Sequence, residues 1–508
     1  MAEMKIRDFD FGAEDARNLS LLSEEEKQLF LESFVIPEAF DIERFFDGRK
    51  YFVYGGKGSG KTALLQYIRI LCERDLEAFT HFYYFQSTFS DKQLARFRKT
   101  LAGRPNEEIV NDSVFSADED ARVFWRLFLL TQISRLLRRR NMTGRHAETF
   151  FKSIEAARLI SQSEQNRKRY PSLETFQLEL SKNPSLTLQG SFAEAGPSDL
   201  ETYIEIAEDA LEEVYLANSP IFVFIDEMEI YKRGDDGDRI QVAAISSLIR
   251  AIRDFSERFE AGDIRIVAAI RREIVDEVAE VKYEVHRIVR DRGVELDWPK
   301  SVKSGTHPLE RTILNRMAVQ DPTIDTSAGI TTNEINIVKA RYFQQGYPTN
   351  LIDKTWYRPR DMALLFELAQ NFDGSMNFFR RKTLTENVLP DLGTRLWQDA
   401  KSGLGVKFDP IALSGIDKLL RGGRRNYTRP QWLQRIALLR DQDDYVATLE
   451  DSGWDNVLQS LYRVGVIFYS ATETGYKNFY FRGDPMPTFT SDFNIGVHRT
   501  LWNELALH

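Results

Sequence analysis

The spacing of apolar residues changes several times along this chain, and each change predicts an element. Residues 51–54, Tyr-Phe-Val-Tyr, form a strand-prone run that enters a cluster of glycines and then a helix-prone segment. Residues 80–86 read as a second strand. Residues 221–225 are Ile-Phe-Val-Phe-Ile, a continuous apolar run that suits a strand covered on both faces of a parallel sheet. Residues 263–270 give another buried strand, and 294–298 a further one. Helical spacing occupies 240–255 and 308–317. Strands alternating with helices predict a doubly wound, parallel α/β sheet.

Around this frame the pattern is different. Residues 1–20 are polar and read as irregular. Ser23 and Glu26 form a capping box ahead of a short helix carrying Leu29, Phe30 and Phe34. Phe40, Ile42, Phe45 and Phe46 precede the first strand, as core residues or as a wall beside a nucleotide base. From 88 to 205 long amphipathic stretches, such as 122–140 and 172–180, predict a largely helical insertion. It carries a basic cluster of Arg135, Arg138, Arg139, Arg140 and Arg145, either a phosphate contact or a solvated helix end. Residues 358–361, Arg-Pro-Arg-Asp, introduce a helix running to about 371. Arg421 to Arg425 form a basic loop with two glycines. Trp454, Val457, Leu458 and Leu461 recur at helical spacing, Gly465 stops that helix, and 466–469 with 476–481 bracket a hairpin. A last helix is expected over 498–507.

The expected layout is therefore an extension at 1–39 and a core at 40–87 and 206–305, split by an insertion at 88–205. A helical lid at 306–375, a helical linker at 376–440 and a winged-helix-like domain at 441–508 follow.

The glycine cluster carries the chemistry. Gly55, Gly56, Lys57, Gly58, Ser59, Gly60, Lys61, Thr62 and Ala63 contain Gly-x-x-x-x-Gly-Lys-Thr between a strand and a helix. Glycines let backbone N–H groups turn toward an anion, and a helix N-terminus adds partial positive charge there. Lys61 can reach the β- and γ-phosphates of a nucleotide, and the Thr62 hydroxyl can ligate Mg2+. Asp226 and Glu227 end the 221–225 strand, on the edge where open α/β sheets bind ligands. Asp226 can hold the metal through water, and Glu227 can polarise an attacking water. An adjacent acid pair suits hydrolysis rather than transfer that excludes water.

Composition narrows the remaining classes. The chain has 508 residues, 42% apolar and 29% charged, with a net charge of −9, which suits a multidomain globular protein without a general polyanion-binding surface. No apolar run approaches a membrane span and the first residues lack a signal core, so a cytoplasmic protein without membrane contact is expected. One cysteine, Cys72, excludes an intramolecular disulfide framework, and six scattered histidines lack ligand spacing.

Taken together, residues 55–62, Asp226–Glu227 and the strand pattern resemble the AAA+ and STAND branch of P-loop ATPases over roughly residues 40–375. The resemblance implies ATP and Mg2+ as cofactors and hydrolysis with Lys61 and Glu227 in catalytic roles. It places Arg271 or Arg272 at the sensor-1 position, where Asn, Ser or Thr is usual. It places Arg360, with Arg358 as the alternative, in the sensor-2 region of origin-recognition-type ATPases. Arg250, Arg253 and Arg258 are available as an arginine finger, without an assignment. The layout also resembles large bacterial P-loop ATPases of antiphage-defence operons. It implies a homo-oligomer acting as a switch or scaffold for a protein effector encoded nearby. The alternatives are a nucleotide-gated DNA-binding protein of loader type and a low-turnover ATP-binding scaffold. The helix from 454 offers Asp455, Asn456, Gln459, Ser460 and Arg463, too little positive charge for a DNA groove, which favours a protein-contact module.

Overall fold

Burial of continuous apolar runs builds the central sheet. In the computed structural model, β1 (Phe52–Gly55), β2 (Phe79–Tyr84), β3 (Ile221–Asp226), β4 (Ile264–Arg271) and β5 (Gly293–Glu295) form one sheet of order β2-β3-β4-β1-β5. Every neighbouring pair is parallel. All of β3 is buried, as expected of a strand covered on both faces, whereas β2 lies at an edge and is more open. The structure describes residues 4–12, 16–17, 23–37, 40–84, 112–161, 197–216, 219–228, 235–259, 263–281, 283–298, 305–344, 351–405, 407–471, 475–487 and 493–508. The amphipathic stretch expected at 172–180 lies outside them.

The order of winding decides where a ligand would sit. From β1 the chain goes to β2, at the far edge, and then works back through β3 and β4 before stepping past β1 to β5. The direction reverses after β1, which makes its carboxyl end a topological switch point.

Helices α1 (Lys61–Asp75), α2 (Asp112–Arg139), α3 (Arg145–Ser161), α4 (Pro197–Glu212), α5 (Asp235–Arg258) and α6 (Arg272–Val281) accompany the sheet. The stretch read as amphipathic at 122–140 behaves otherwise. From Val123 to Leu137 α2 is buried on nearly every side, with Trp125, Phe128, Leu130 and Ile133 in one core with β3 and β4. A helix apolar all round belongs inside. It is tied to its neighbours by Arg126, whose guanidinium grips both oxygens of buried Glu208 on α4 at 2.9 and 2.7 Å.

The chain divides into two compact units: residues 40–55 with 64–295, which hold the parallel sheet, and residues 1–39, 56–63 and 296–508. In the second unit, α7 (Pro359–Asp373), α8 (Leu389–Leu404), α9 (Pro410–Leu420), α10 (Arg429–Arg440) and α11 (Trp454–Arg463) surround an apolar core of their own. A second sheet follows, β6 (Asn426–Thr428), β7 (Ile467–Ala471), β8 (Lys477–Asn478) and β9 (Phe493–Val497), in antiparallel order β6-β9-β7-β8.

Residues 4–12 are irregular apart from a 3-10 turn at Ile6–Asp8, yet they are docked: Ile6, Phe9 and Phe11 are buried, and the Ile6 and Arg7 N–H groups donate to the Met376 and Gly374 carbonyls. Three expectations change here. The main partner of β7 is β9, not the 476–481 segment, which contributes only two residues before a 3-10 turn. Residues 498–507 hold a single 3-10 turn at Arg499–Leu501, with Ala506 at φ 49°. Packing rather than local propensity decides the path of so short a segment, and burial of Leu501, Leu505 and Leu507 sets it. Strand β6, inside the stretch read as a linker, pairs with β9.

Candidate functional site

Strand β1 runs directly into the glycine loop, and the loop into α1. Gly58 and Gly60 have φ of 78° and 98°, left-handed values that a side chain rarely tolerates. The Lys61 ammonium donates to the Gly56 carbonyl at 2.8 Å. The Ser59 carbonyl accepts from the Trp298 indole N–H at 3.0 Å, and the buried Ser59 hydroxyl has no partner among the described residues. Thr62 and Ala63 lie in the first turn of α1. The loop thus offers glycines, a helix N-terminus, a lysine and a hydroxyl in succession, a donor set that fits a phosphate chain.

Along the carboxyl edge of the parallel sheet, β1 ends at Gly55, β4 at Arg271 and β3 at Asp226. Arg271 stands in register with Gly55 on the neighbouring strand. Arg272, its alternative, opens α6 and is ion-paired with Glu295 of β5. Asp226 is 4% exposed and accepts the Glu227 N–H at 2.7 Å. Glu227 has φ of 57°, a conformation that costs a non-glycine residue of order 1–3 kcal/mol and that clusters at functional sites. Opposite Asp226 in register is Tyr84, whose hydroxyl accepts from the Gln66 amide at 2.6 Å. Burial pushes the Tyr84 phenol up to about 12, so it stays protonated. Gln66 is fully buried and its carbonyl oxygen has no partner among the described residues. Sequence reading missed both; the available signal was an amide inside the apolar run of α1.

Of the arginine pair at the start of α7, Arg358, the second choice, donates to the Lys57 carbonyl at 3.3 Å. Its Cδ lies 3.2 Å from where a Cβ on Gly58 would stand. It is held by Asp361 at 2.7 Å and Asp399 at 2.9 Å, and Asp399 also pairs with the Lys57 ammonium at 2.6 Å. Burial disfavours the Arg358 charge, but the two carboxylates outweigh it and raise the guanidinium above its ordinary value. Arg360 is half-buried in the first turn of α7. Nothing in the local sequence pointed to Asp399, which lies 41 positions from Arg358.

No protein-family model matches the chain, and a search of curated proteins returns no match. Among solved structures, the ORC2 protein of Aeropyrum pernix, in ADPNP–ADP complexes, aligns over 93% of this chain and 93% of its own at 11% identity and a TM-score of 0.30. Cdc6p from Pyrobaculum aerophilum aligns over 94% of this chain and 98% of its own at 10% identity and a TM-score of 0.30. The α/β fold stated above rests on the strand order and register of this chain itself.

Most of the remaining candidates have protein partners, whereas Arg139 and Arg145 of the basic cluster are exposed. In the basic cluster, Arg138 pairs with Glu155, Arg140 donates to the Leu216 and Ser219 carbonyls, and Arg135 donates to Gln132. Arg258 pairs with Glu208, Asp209 and Glu212; Arg250 and Arg253 face Glu284. Arg421 is tied to Asp417 and Glu504, while Arg425 lies over the Trp502 ring. On α11, Ser460 is buried and donates to the Asn456 carbonyl, and Asn456 accepts from Lys407. Asp455 and Arg463 are its exposed polar ends. Among the described residues no group of three or more His, Cys, Asp or Glu could hold a metal. No described helix is long and apolar enough to cross a membrane.

Proposed function

We propose that this chain binds ATP with Mg2+ at residues 55–63 and hydrolyses it, as an AAA+/STAND-like ATPase that switches or scaffolds a partner. The observation that carries the reading is the left-handed turn at Gly58 and Gly60 that follows β1, in a chain whose parallel sheet has its switch point at β1 and closes β3 on Asp226. In this reading the Gly55–Gly60 amides and the α1 N-terminus hold the phosphates. Lys61 leaves the Gly56 carbonyl for the β- and γ-phosphates. Thr62 and Asp226 hold the Mg2+, which supplies charge neutralisation of the transferring phosphoryl group. Glu227 accepts the proton of the attacking water. Arg271, at the end of β4, stabilises developing negative charge. Arg358 is here preferred to Arg360 as the second arginine, because its guanidinium donates to the Lys57 carbonyl.

The partner side of the reading rests on α11. Most of that helix is covered by its own unit, and its exposed ends carry one charge of each sign. That favours a protein effector over a DNA groove, within a homo-oligomer, with antiphage defence as the setting the sequence resemblance suggests.

Phosphate release and calorimetry test this. The wild type should bind Mg-ATP saturably and Lys61→Ala should lose that binding. Glu227→Gln should keep binding while turnover falls about a hundredfold. An unchanged turnover in Glu227→Gln would remove the general base, and equal binding in Lys61→Ala would remove the site.

A further inference from the structure

Two cations at the glycine loop share one carboxylate, and that carboxylate belongs to a helix far downstream. Asp399 Oδ1 is 2.6 Å from the Lys57 ammonium, and its Oδ2 accepts from Arg358 Nη1 at 2.9 Å. A bridging anion between a lysine and an arginine is what a phosphate group also provides. The guanidinium has an anchored side and an exchangeable side. Nε and Nη2 belong to Asp361, at 3.0–3.1 Å and 2.7 Å, and Asp361 is 1% exposed and further fixed by the Trp356 N–H at 2.9 Å. Nη1 alone serves Asp399 and the Lys57 carbonyl. Removing Asp399 would therefore leave Arg358 in place with one donor free.

The group is only partly shielded, with side-chain exposures of 29% for Lys57, 19% for Asp399 and 12% for Arg358. An incoming anion has access to it. Buried or half-buried ion pairs of this kind are poor sources of stability, so their retention calls for another role. Burial pushes the Asp399 carboxyl up, but Arg358 and Lys57 outweigh it and hold the carboxyl down at about 2, so it is an anion at any physiological pH.

The helix that carries Asp399 is fastened elsewhere to the C-terminal part of the same unit. On α8, the Trp397 indole donates to Asp417 of α9 at 3.0 Å, and Thr394 donates to Glu504 at 2.7 Å. Gly393 lies so close to the Thr500 carbonyl that a Cβ there would stand 2.2 Å from it. One helix thus joins the glycine loop to α9 and to the terminal segment.

We propose that Asp399 is an intramolecular competitor of the nucleotide: it occupies Lys57 and the free donor of Arg358, and a bound triphosphate displaces it and releases α8 from the loop. The idea rests on the reading that residues 55–63 bind ATP, and it adds the route by which binding is reported to the C-terminal helices. Asp399 is here a regulatory residue rather than a catalytic one.

Calorimetry with Mg-ATP on the full chain separates the possibilities. Asp399→Asn should bind ATP roughly tenfold more tightly than the wild type, the equivalent of one charge-assisted contact. The gain should vanish when Lys57→Gln and Arg358→Gln are also present, because there is then nothing to release. A merely structural role predicts the reverse, weaker or unchanged binding with a lower Tm, and would overturn the proposal. Hydrogen exchange on the wild type needs no variant: amides of 389–404 should exchange faster with ATP, and unchanged exchange at saturating ATP also overturns it. If the wild type gives no ATP heat but Asp399→Asn does, the competitor is supported; if neither does, both the competitor and the ATP reading fall.

Discussion

Backbone conformation at single residues sets what the glycine loop can accommodate. Gly58 and Gly60 sit at positive φ, and Gly58 has Arg358 against it, so Gly58→Ala combines strain with a contact and should cost about 1–3 kcal/mol. The check is a urea titration, with the midpoint falling while the slope is kept. Asp361 is the buried anchor of Arg358, and Asp361→Asn leaves that guanidinium short of a partner; a loss of about 3–5 kcal/mol is expected in the same assay. His498 gives a pH signature. Burial first, then Arg482, Lys354 and Lys477, push its imidazole down from 6.5 to about 3, and Trp356, Phe479 and Phe481 pack around it. Between those values the unfolded chain binds a proton that the folded one refuses, so stability falls as pH drops from 6.5 toward 3 and is flat with respect to this group above 6.5. His498→Phe should flatten that limb relative to wild type; identical pH profiles would mean the imidazole is not held neutral.

At the scale of elements, continuous apolar runs proved reliable and periodic ones less so. The strands read at 51–54, 80–86, 221–225 and 263–270 lie within two residues of β1 to β4. The 221–225 run has no polar position that a different pairing could expose, and 264–270 has only Arg265. The helix over 122–140 exists, but its burial was misread, because arginines at its far end look like a solvated face until Glu155 and two carbonyls are seen to receive them. Ile225 in β3 is fully buried in the sheet core, and Ile225→Ala should lower stability by about 2–5 kcal/mol, read by denaturant unfolding. Strand β9 escaped notice because its pairing with β6 and β7 is non-local and its sequence, Phe-Asn-Ile-Gly-Val, is short.

For the whole molecule, two cores rather than one govern behaviour. A chain with two separate cores need not unfold in one step, and calorimetric and van't Hoff enthalpies should disagree. The N-terminal segment belongs to the second core, with Ile6, Phe9 and Phe11 packed among Tyr342, Phe366 and Phe379. Deleting residues 1–12 should lower the Tm of one transition and leave the other unmoved, measured by scanning calorimetry. A uniform shift of both would show that the cores unfold together.

The sequence by itself determined the local chemistry: a strand, a glycine turn, a lysine and a threonine in one stretch, and two acids closing an apolar run. Short-range sterics and burial are enough for that, since a left-handed turn needs glycine and a two-faced strand needs unbroken apolar residues. Only the tertiary structure decided which distant side chains serve the loop. Arg358 touches Lys57, Asp399 bridges the two cations, and Trp298 holds the Ser59 carbonyl. These partners come from distant positions, and no spacing along a chain encodes which charge will be buried against which.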